Sequence, residues 1–150
     1  MKTILSTILV IGISLFSFTS FSQTKDQHHA ALTEHHKKIS FHLLKIKDGK
    51  SKDEHRKNAE AAEEQLEKAS ARHKELKKAV KQEHRDAAKV HHEAIELHHK
   101  EAKAHHAELK KELAKQKYDE ALAKQHADNM NNSIIKAESE HQLLKEKTSK

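Results

Sequence analysis

The chain has no cysteine, no proline and no tryptophan, a single tyrosine, and two glycines in 150 residues. Each absence removes an option. Without cysteine there is no disulfide framework, no thiolate metal site and no point for lipid attachment. Without proline, and with Gly49 the one glycine beyond the first 22 residues, almost nothing in the chain forces a helix to stop. Aromatic residues make up 3% of the chain, too few to form the stacking platforms of a single-strand nucleic-acid surface. Lys and Glu are interleaved rather than clustered, so the formal net charge of +6 gives no basic stripe, and no specific nucleic-acid partner is expected.

The first 22 residues, MKTILSTILVIGISLFSFTSFS, carry one basic residue, Lys2, and an apolar run from Ile4 to Phe18. This is the build of a secretory signal, with small residues Ser20 and Ser22 placed for cleavage, and the apolar run is too short to span a bilayer. The sequence therefore predicts an exported protein, periplasmic or extracellular, with a remaining domain over 23–150. No later segment resembles a membrane span.

Beyond that segment, large apolar residues are sparse: Leu, Ile, Val and Phe number 19 between Leu32 and Leu144. Disorder is the competing reading, but charged residues of both signs nearly balance, and Ala, Glu, Lys, Leu and Arg dominate as they do in long helices and coiled coils. The expected fold is all-α: an elongated helical hairpin or coiled-coil-like bundle with a long central helix and a short C-terminal helix. Gly49 is expected in the left-handed position after the first helix, and Ser51-Lys52-Asp53-Glu54 has the spacing of a capping box. The Asn-rich run Asp128 to Ser133 competes with helical hydrogen bonds and reads as a second break. These signals predict helices over about 25–47, 52–127 and 134–147. The middle one would reach roughly 110 Å at 1.5 Å per residue. A turn within Lys81 to Asp86 would fold it back, but no residue there demands one.

What the chain does have is sixteen histidines. His28, His35, His42, His84, His91, His98, His105 and His126 share one heptad phase, and His29, His36, His92, His99, His106 and His141 share the next. Only His55 and His73 lie elsewhere. At about 100° per residue, Ala88, Ile95, Ala102 and Leu109 flank the first histidine of each pair on one side, with Ala87, Ala94, Val90 and Leu97 on the other. The first histidine is thus expected inside the apolar stripe and the second on its edge.

Neutral imidazole binds Zn²⁺, Cu²⁺ and Ni²⁺. No two histidines stand at i, i+3 or i, i+4, so one helix cannot chelate through histidine alone. Carboxylates fill part of the gap, since His98, Glu101, His105 and Glu108 form one strip. The candidate metal ligands are His28, His35, His42, His84, His91, His92, His98, His99, His105, His106, Glu101 and Glu108. A closed site needs a second helix. The ladder from His84 to His106 is nearly symmetric about Ile95, which suggests an antiparallel homodimer, because a hairpin turning at Gly49 would leave the ladder beyond the reach of the first helix.

These patterns predict an exported His-rich helical protein that binds several transition-metal ions as buffer, scavenger or carrier. The alternative is a structural or adaptor coiled coil that assembles in a pH-dependent way and takes up no specific metal. Binding flat on a membrane surface is disfavoured by the alanine and histidine content of the stripe. No catalytic residues and no organic cofactor are expected, because no nucleophile, Gly-rich loop or converging acid and base stands out.

Overall fold

The computed structural model describes residues 24–149, so the proposed signal segment lies outside the described residues. They form four helices, α1 (Lys25–Asp48), α2 (Lys52–Ala79), α3 (Arg85–Ala114) and α4 (Glu120–Thr148), with a single 3₁₀ turn at Gln82–His84. Helix α1 packs on α2 and α4, and α3 packs on α4 and α2. The result is an all-α bundle of four antiparallel neighbours.

The hairpin between α1 and α2 follows the sequence closely. Thr24 caps α1, accepting from Gln27 N at 3.3 Å while Gln27 Oε1 accepts from Thr24 N at 2.8 Å. Ser51 Oγ caps α2, accepting from Glu54 N. Glu54 in turn reaches back to Lys50 N at 3.1 Å. Gly49, however, has φ −65° and ψ 151°, which is extended backbone open to any residue. What demands glycine here is space: a Cβ would sit 2.8 Å from His55 Cδ2 and 2.9 Å from Lys45 O. The buried His55 ring occupies the place of the missing side chain.

The long helix expected over 52–127 is two helices and part of a third. The chain leaves α2 at Val80 (ψ 127°) and Lys81 (ψ 150°) and re-enters helix at Arg85, within the polar run that contains no helix breaker. The cause is tertiary. A straight 52–127 rod would leave the seams of α2 and α3 facing water, whereas folding back buries Leu66, Leu76, Val80, Ile95 and Leu109 together. A second turn, Lys115 to Asp119, has the same origin and uses local caps: Asp119 Oδ1 accepts from Leu122 N, and Glu112 Oε1 accepts from Asp119 N at 2.8 Å. The break expected at 128–133 does not occur and α4 runs through it. Ser133 Oγ donates back to Asn129 O at 3.3 Å, and Met130 and Ile134 are buried, so core contacts outweigh the weak helix propensity of this run.

With all four helices in place, the chain repeats itself. Helix α3 restates α1 at an offset of 63 residues: His28/His29, Leu32, His35/His36 and Ile46 are matched by His91/His92, Ile95, His98/His99 and Leu109. Helix α4 restates α2 at an offset of 68: Ala59, Leu66, Ala69, His73 and Leu76 are matched by Ala127, Ile134, Ala137, His141 and Leu144. The molecule is two similar hairpins clasped together, the extra residues of the second lying in the longer C-terminal end of α3 and the longer turn between α3 and α4.

Gly49→Ala is expected to cost about 1–3 kcal/mol, because it overpacks the turn against His55. The urea midpoint should fall at unchanged slope, while Lys50→Ala shifts stability by less than about 0.5 kcal/mol. Equal midpoints for Gly49→Ala and the parent would contradict the His55 contact.

Candidate metal centre in the histidine core

The two histidines of each pair take roles opposite to those the stripe implied. The second of each pair, His29, His36, His92, His99 and His106, is buried in the core, together with His55, His73 and His141. Of the first ones, His35, His42, His91, His98 and His105 are half-buried and His28 is buried at the flank. The reversal has a clear source. Val90 and Leu97, which drew the apparent stripe toward the first histidine, are 67% and 53% exposed, so the true centre lies between Ile95 and the second histidine. Ile95 itself is buried in the chain's own core. A dimer centred there would require that core to open, and the partner of the α3 ladder is supplied by α1 and α2 once the chain folds back at residue 80.

The residues chosen from sequence scatter accordingly. His35 Nδ1 donates to Gln65 Oε1 at 2.9 Å and His42 Nδ1 to Asn58 Oδ1 at 3.1 Å, both in the α1/α2 seam. In the second hairpin His91 Nδ1 donates to Glu140 Oε2 at 2.8 Å and His98 Nδ1 to Glu101 Oε2 at 2.9 Å. His84 lies 3.5 Å from Glu83, and Glu108 is exposed with Lys111 at 2.6 Å. His28 lines the α1 flank with Nδ1 unpartnered, and His105 is half-buried on α3. His106 Nε2 donates to Ala59 O at 3.1 Å, apart from the other core imidazoles. Only His92 and His99 join the cluster described next.

That cluster is built around Glu138, which sequence reading missed. Its carboxylate oxygen Oε2 accepts from His36 Nδ1 at 2.6 Å and from His141 Nδ1 at 3.3 Å. The other oxygen accepts from Thr33 Oγ1 at 2.9 Å and from the Gln142 amide. An ionised carboxylate only accepts, so both imidazoles present Nδ1–H to it and keep Nε2 as a lone pair. Those lone pairs then accept in turn. His141 Nε2 takes a hydrogen bond from His29 Nδ1 at 2.7 Å, and His36 Nε2 takes one from His99 Nε2 at 2.8 Å. One carboxylate thus sets the tautomers of four histidines. A further pair, His73 Nε2 and His92 Nδ1 at 2.9 Å, stands beside His99, whose ring centroid is 6.0 Å from that of His73.

Burial decides the charge state. It pushes His29 to about 4, aided by its neighbour His141, and His73 to about 3, aided by His92. It lowers His92 to about 4 and His99 to about 2, the latter helped by His36 and His73. Burial also lowers His36, although its hydrogen bond to Glu138 opposes the shift. For Glu138 burial works upward, but the hydrogen bonds from His141, His36, Gln142 and Thr33 outweigh it and hold the carboxyl well below the usual range. At neutral pH His29, His73, His92 and His99 are therefore neutral, beside an ionised Glu138.

His36, Glu138 and His141 each offer one ligand atom, and these atoms lie within 4.8 Å of one another. Two imidazole nitrogens and a carboxylate oxygen are a recognised three-ligand set for Zn²⁺ with a fourth position open. Glu138 and His141 sit at i, i+3 on α4, a spacing legible in the sequence had Glu/His pairs been weighed alongside His/His pairs. His36 needs the fold to reach them. In comparisons with protein-family models, curated proteins and solved structures, the chain matched none.

Because His29, His73, His92 and His99 are held below the reference of about 6.5, at about 4 down to about 2, the unfolded chain takes up protons as pH falls below about 6.5 that the folded core refuses. Stability is then complete above pH 6.5 and falls as pH falls through that window. One unit below the reference, each such histidine costs about 1.4 kcal/mol, so four cost on the order of 5 kcal/mol at pH 5.5, comparable to the whole stability of a small domain. Urea melts at pH 7.5 and 5.5 should show a large loss of midpoint on acidification, and identical midpoints would contradict neutral buried imidazoles.

Proposed function

We propose that this is an exported, histidine-rich helical bundle that binds transition-metal ions, Zn²⁺, Cu²⁺ or Ni²⁺, as a buffer, scavenger or carrier. The observation that carries the reading is the convergence of His36, Glu138 and His141 from two helices on a space of metal-site size. Three features support it. Burial favours the neutral form of His36, the state in which imidazole ligates. The carboxylate supplies a negative charge against the dication. A groove between α1 and α4, lined by His36, Ser40, Phe41, Ile134 and Glu138, borders two of the three ligands. Export rests on the N-terminal segment alone; among the described residues no helix is long and apolar enough to cross a membrane. The role we propose is one of binding, because the ligands are tied into a buried side-chain network that holds them in place.

The second reading, a structural bundle whose assembly responds to pH, is favoured by the depressed values of His29, His73, His92 and His99. A zinc titration separates the two. At pH 7.5 the protein is expected to take up at least one ion per chain and to melt higher with zinc, since a ligand of the folded state stabilises it by mass action. Glu138→Gln and His141→Gln should each weaken the tightest uptake tenfold or more. No uptake and no melting shift would leave the structural reading in possession.

A further inference from the structure

The internal repeat gives each surface position a counterpart, and two halves that fold alike need differ only where something besides the fold acts. Among the described residues six large apolar side chains are exposed: Phe41 and Leu44 on α1, Val90 and Leu97 on α3, and Ile135 and Leu143 on α4. None of the six lies on α2. In the bundle α4 stands between α1 and α3, with α2 at the opposite corner, so all six fall on α4 or on its two neighbours. Under the offset of 68, Ile135 corresponds to Glu67 and Leu143 to Glu75. Positions that carry carboxylates on α2 thus carry hydrocarbon on α4, 55% and 40% exposed. The fold itself does not call for it.

The rest of the outward row differs in the same direction. On α4 the exposed residues Asn132, Ile135, Ser139, Leu143 and Glu146 recur in steps of three and four, the spacing of a helix-packing seam. The corresponding row on α2 is Glu64, Glu67, Ala71, Glu75 and Lys78, and it is charged nearly throughout. Its charges are held by neighbours on the same helix, Glu64 by Lys68 and Glu75 by Lys78 at 2.9 Å. Helix α2 is therefore built to face water. Helix α4 has one seam turned into the core and a second, outward seam on which no helix of this chain packs.

We propose that this outward face of α4 docks on the same face of a second copy of the chain, antiparallel, about a two-fold axis at Ser139. A two-fold interface presents one patch from both subunits, and this row is self-complementary. Ile135 and Leu143 stand equally far from Ser139 on either side, so the axis sets Ile135 of each copy against Leu143 of the other. It likewise sets Asn132 against Glu146 and Lys136 against Gln142, and no charge on the row meets its like. Lys136 comes beside Glu140 of the second copy, two positions from the residue it opposes and opposite in sign. A parallel pairing would instead bring Lys136 against Lys136 and Glu146 against Glu146. A surface of a single charge sign, such as a nucleic acid or an anionic bilayer, would meet one lysine and one glutamate on the row and gain nothing from the pair. Ser139, small and central, lets the two helices approach closely. From Asn132 to Glu146 the seam runs roughly 21 Å at 1.5 Å per residue, which places the dimer at the small, reversible end of specific interfaces.

Sedimentation equilibrium at pH 7.5 tests the dimer, with a chelator present so that bridging metal ions play no part. The parent is expected to pass reversibly from one chain to two in the micromolar range. Ile135→Glu and Leu143→Glu each install the residue that α2 already carries at the equivalent position, so the bundle tolerates them. Each should weaken the dimer tenfold or more and leave the circular dichroism unchanged. Because the chain has no cysteine, Ser139→Cys places a single thiol on the axis. Under mild oxidation it should link two chains at least tenfold faster than Ala71→Cys, the corresponding exposed position on α2. A monomer at every concentration from micromolar to millimolar, with position 139 linking no faster than position 71, would overturn the proposal. So would a dimer indifferent to Ile135→Glu and Leu143→Glu alike. A monomer that binds phosphatidylcholine vesicles, and loses that binding in the same two variants, would assign the face to lipid and overturn it as well.

Discussion

A buried imidazole has to place its N–H on an acceptor, and in this bundle the acceptor that begins the sequence of choices is the carboxylate of Glu138. It takes hydrogen bonds from His36 and His141, and those two then accept from His99 and His29. Take the carboxylate away and four rings lose the reason for their tautomers, with about 1–3 kcal/mol at stake for each buried group left unpaired. The apolar core around them cannot absorb much of that. Ala59, Ala62, Ala69, Ala88, Ala102, Ala123, Ala127 and Ala137 are all buried, so helices approach closely but little apolar area is removed from water at each turn. Hydrogen bonding among the histidines is what specifies how the helices meet in this half of the molecule.

The same network that holds the fold is suited to hold an ion. Neutral, buried nitrogens without a competing proton are the form in which imidazole ligates, and Glu138 provides both the hydrogen-bond anchor and the charge. Structure and binding therefore draw on one protonation state. Acid removes it from the unfolded side first, because the free chain accepts protons that the core refuses. Under the proposed reading, acid would release the metal and loosen the fold over the same range.

Much of this architecture is local and was readable in the sequence. Gly49 and Ser51 with Glu54 mark the first hairpin, and the heptad spacing of Leu32, Ile39 and Ile46 marks its seam. The remaining breaks are not local. Nothing between Val80 and Arg85 stops a helix, and nothing in Asp128 to Ser133 forces α4 to continue; in both places the burial of residues far away in sequence decides. The phase of the histidine pairs was misread because exposed Val90 and Leu97 count toward a stripe in sequence but contribute nothing to the core. Glu138 was missed because its meaning depends on His36, 102 residues away, reaching it across the α1/α4 seam. The repeat of His36 in His99 and of His141 in His73 is present in the sequence, but it becomes legible only once the closed bundle pairs α1 with α3 and α2 with α4 as equivalent helices.

The claim on which the rest depends is that an ionised Glu138 fixes the tautomers of its neighbours. Two-bond ¹H–¹⁵N correlation spectra of the histidine side chains at pH 7.5, without metal, test it most directly. The account predicts neutral rings throughout the cluster, protonated at Nδ1 in His29, His36 and His141 and at Nε2 in His99. Finding His36 or His141 protonated at Nε2 instead, or charged rings at this pH among His29, His73, His92 and His99, would contradict it.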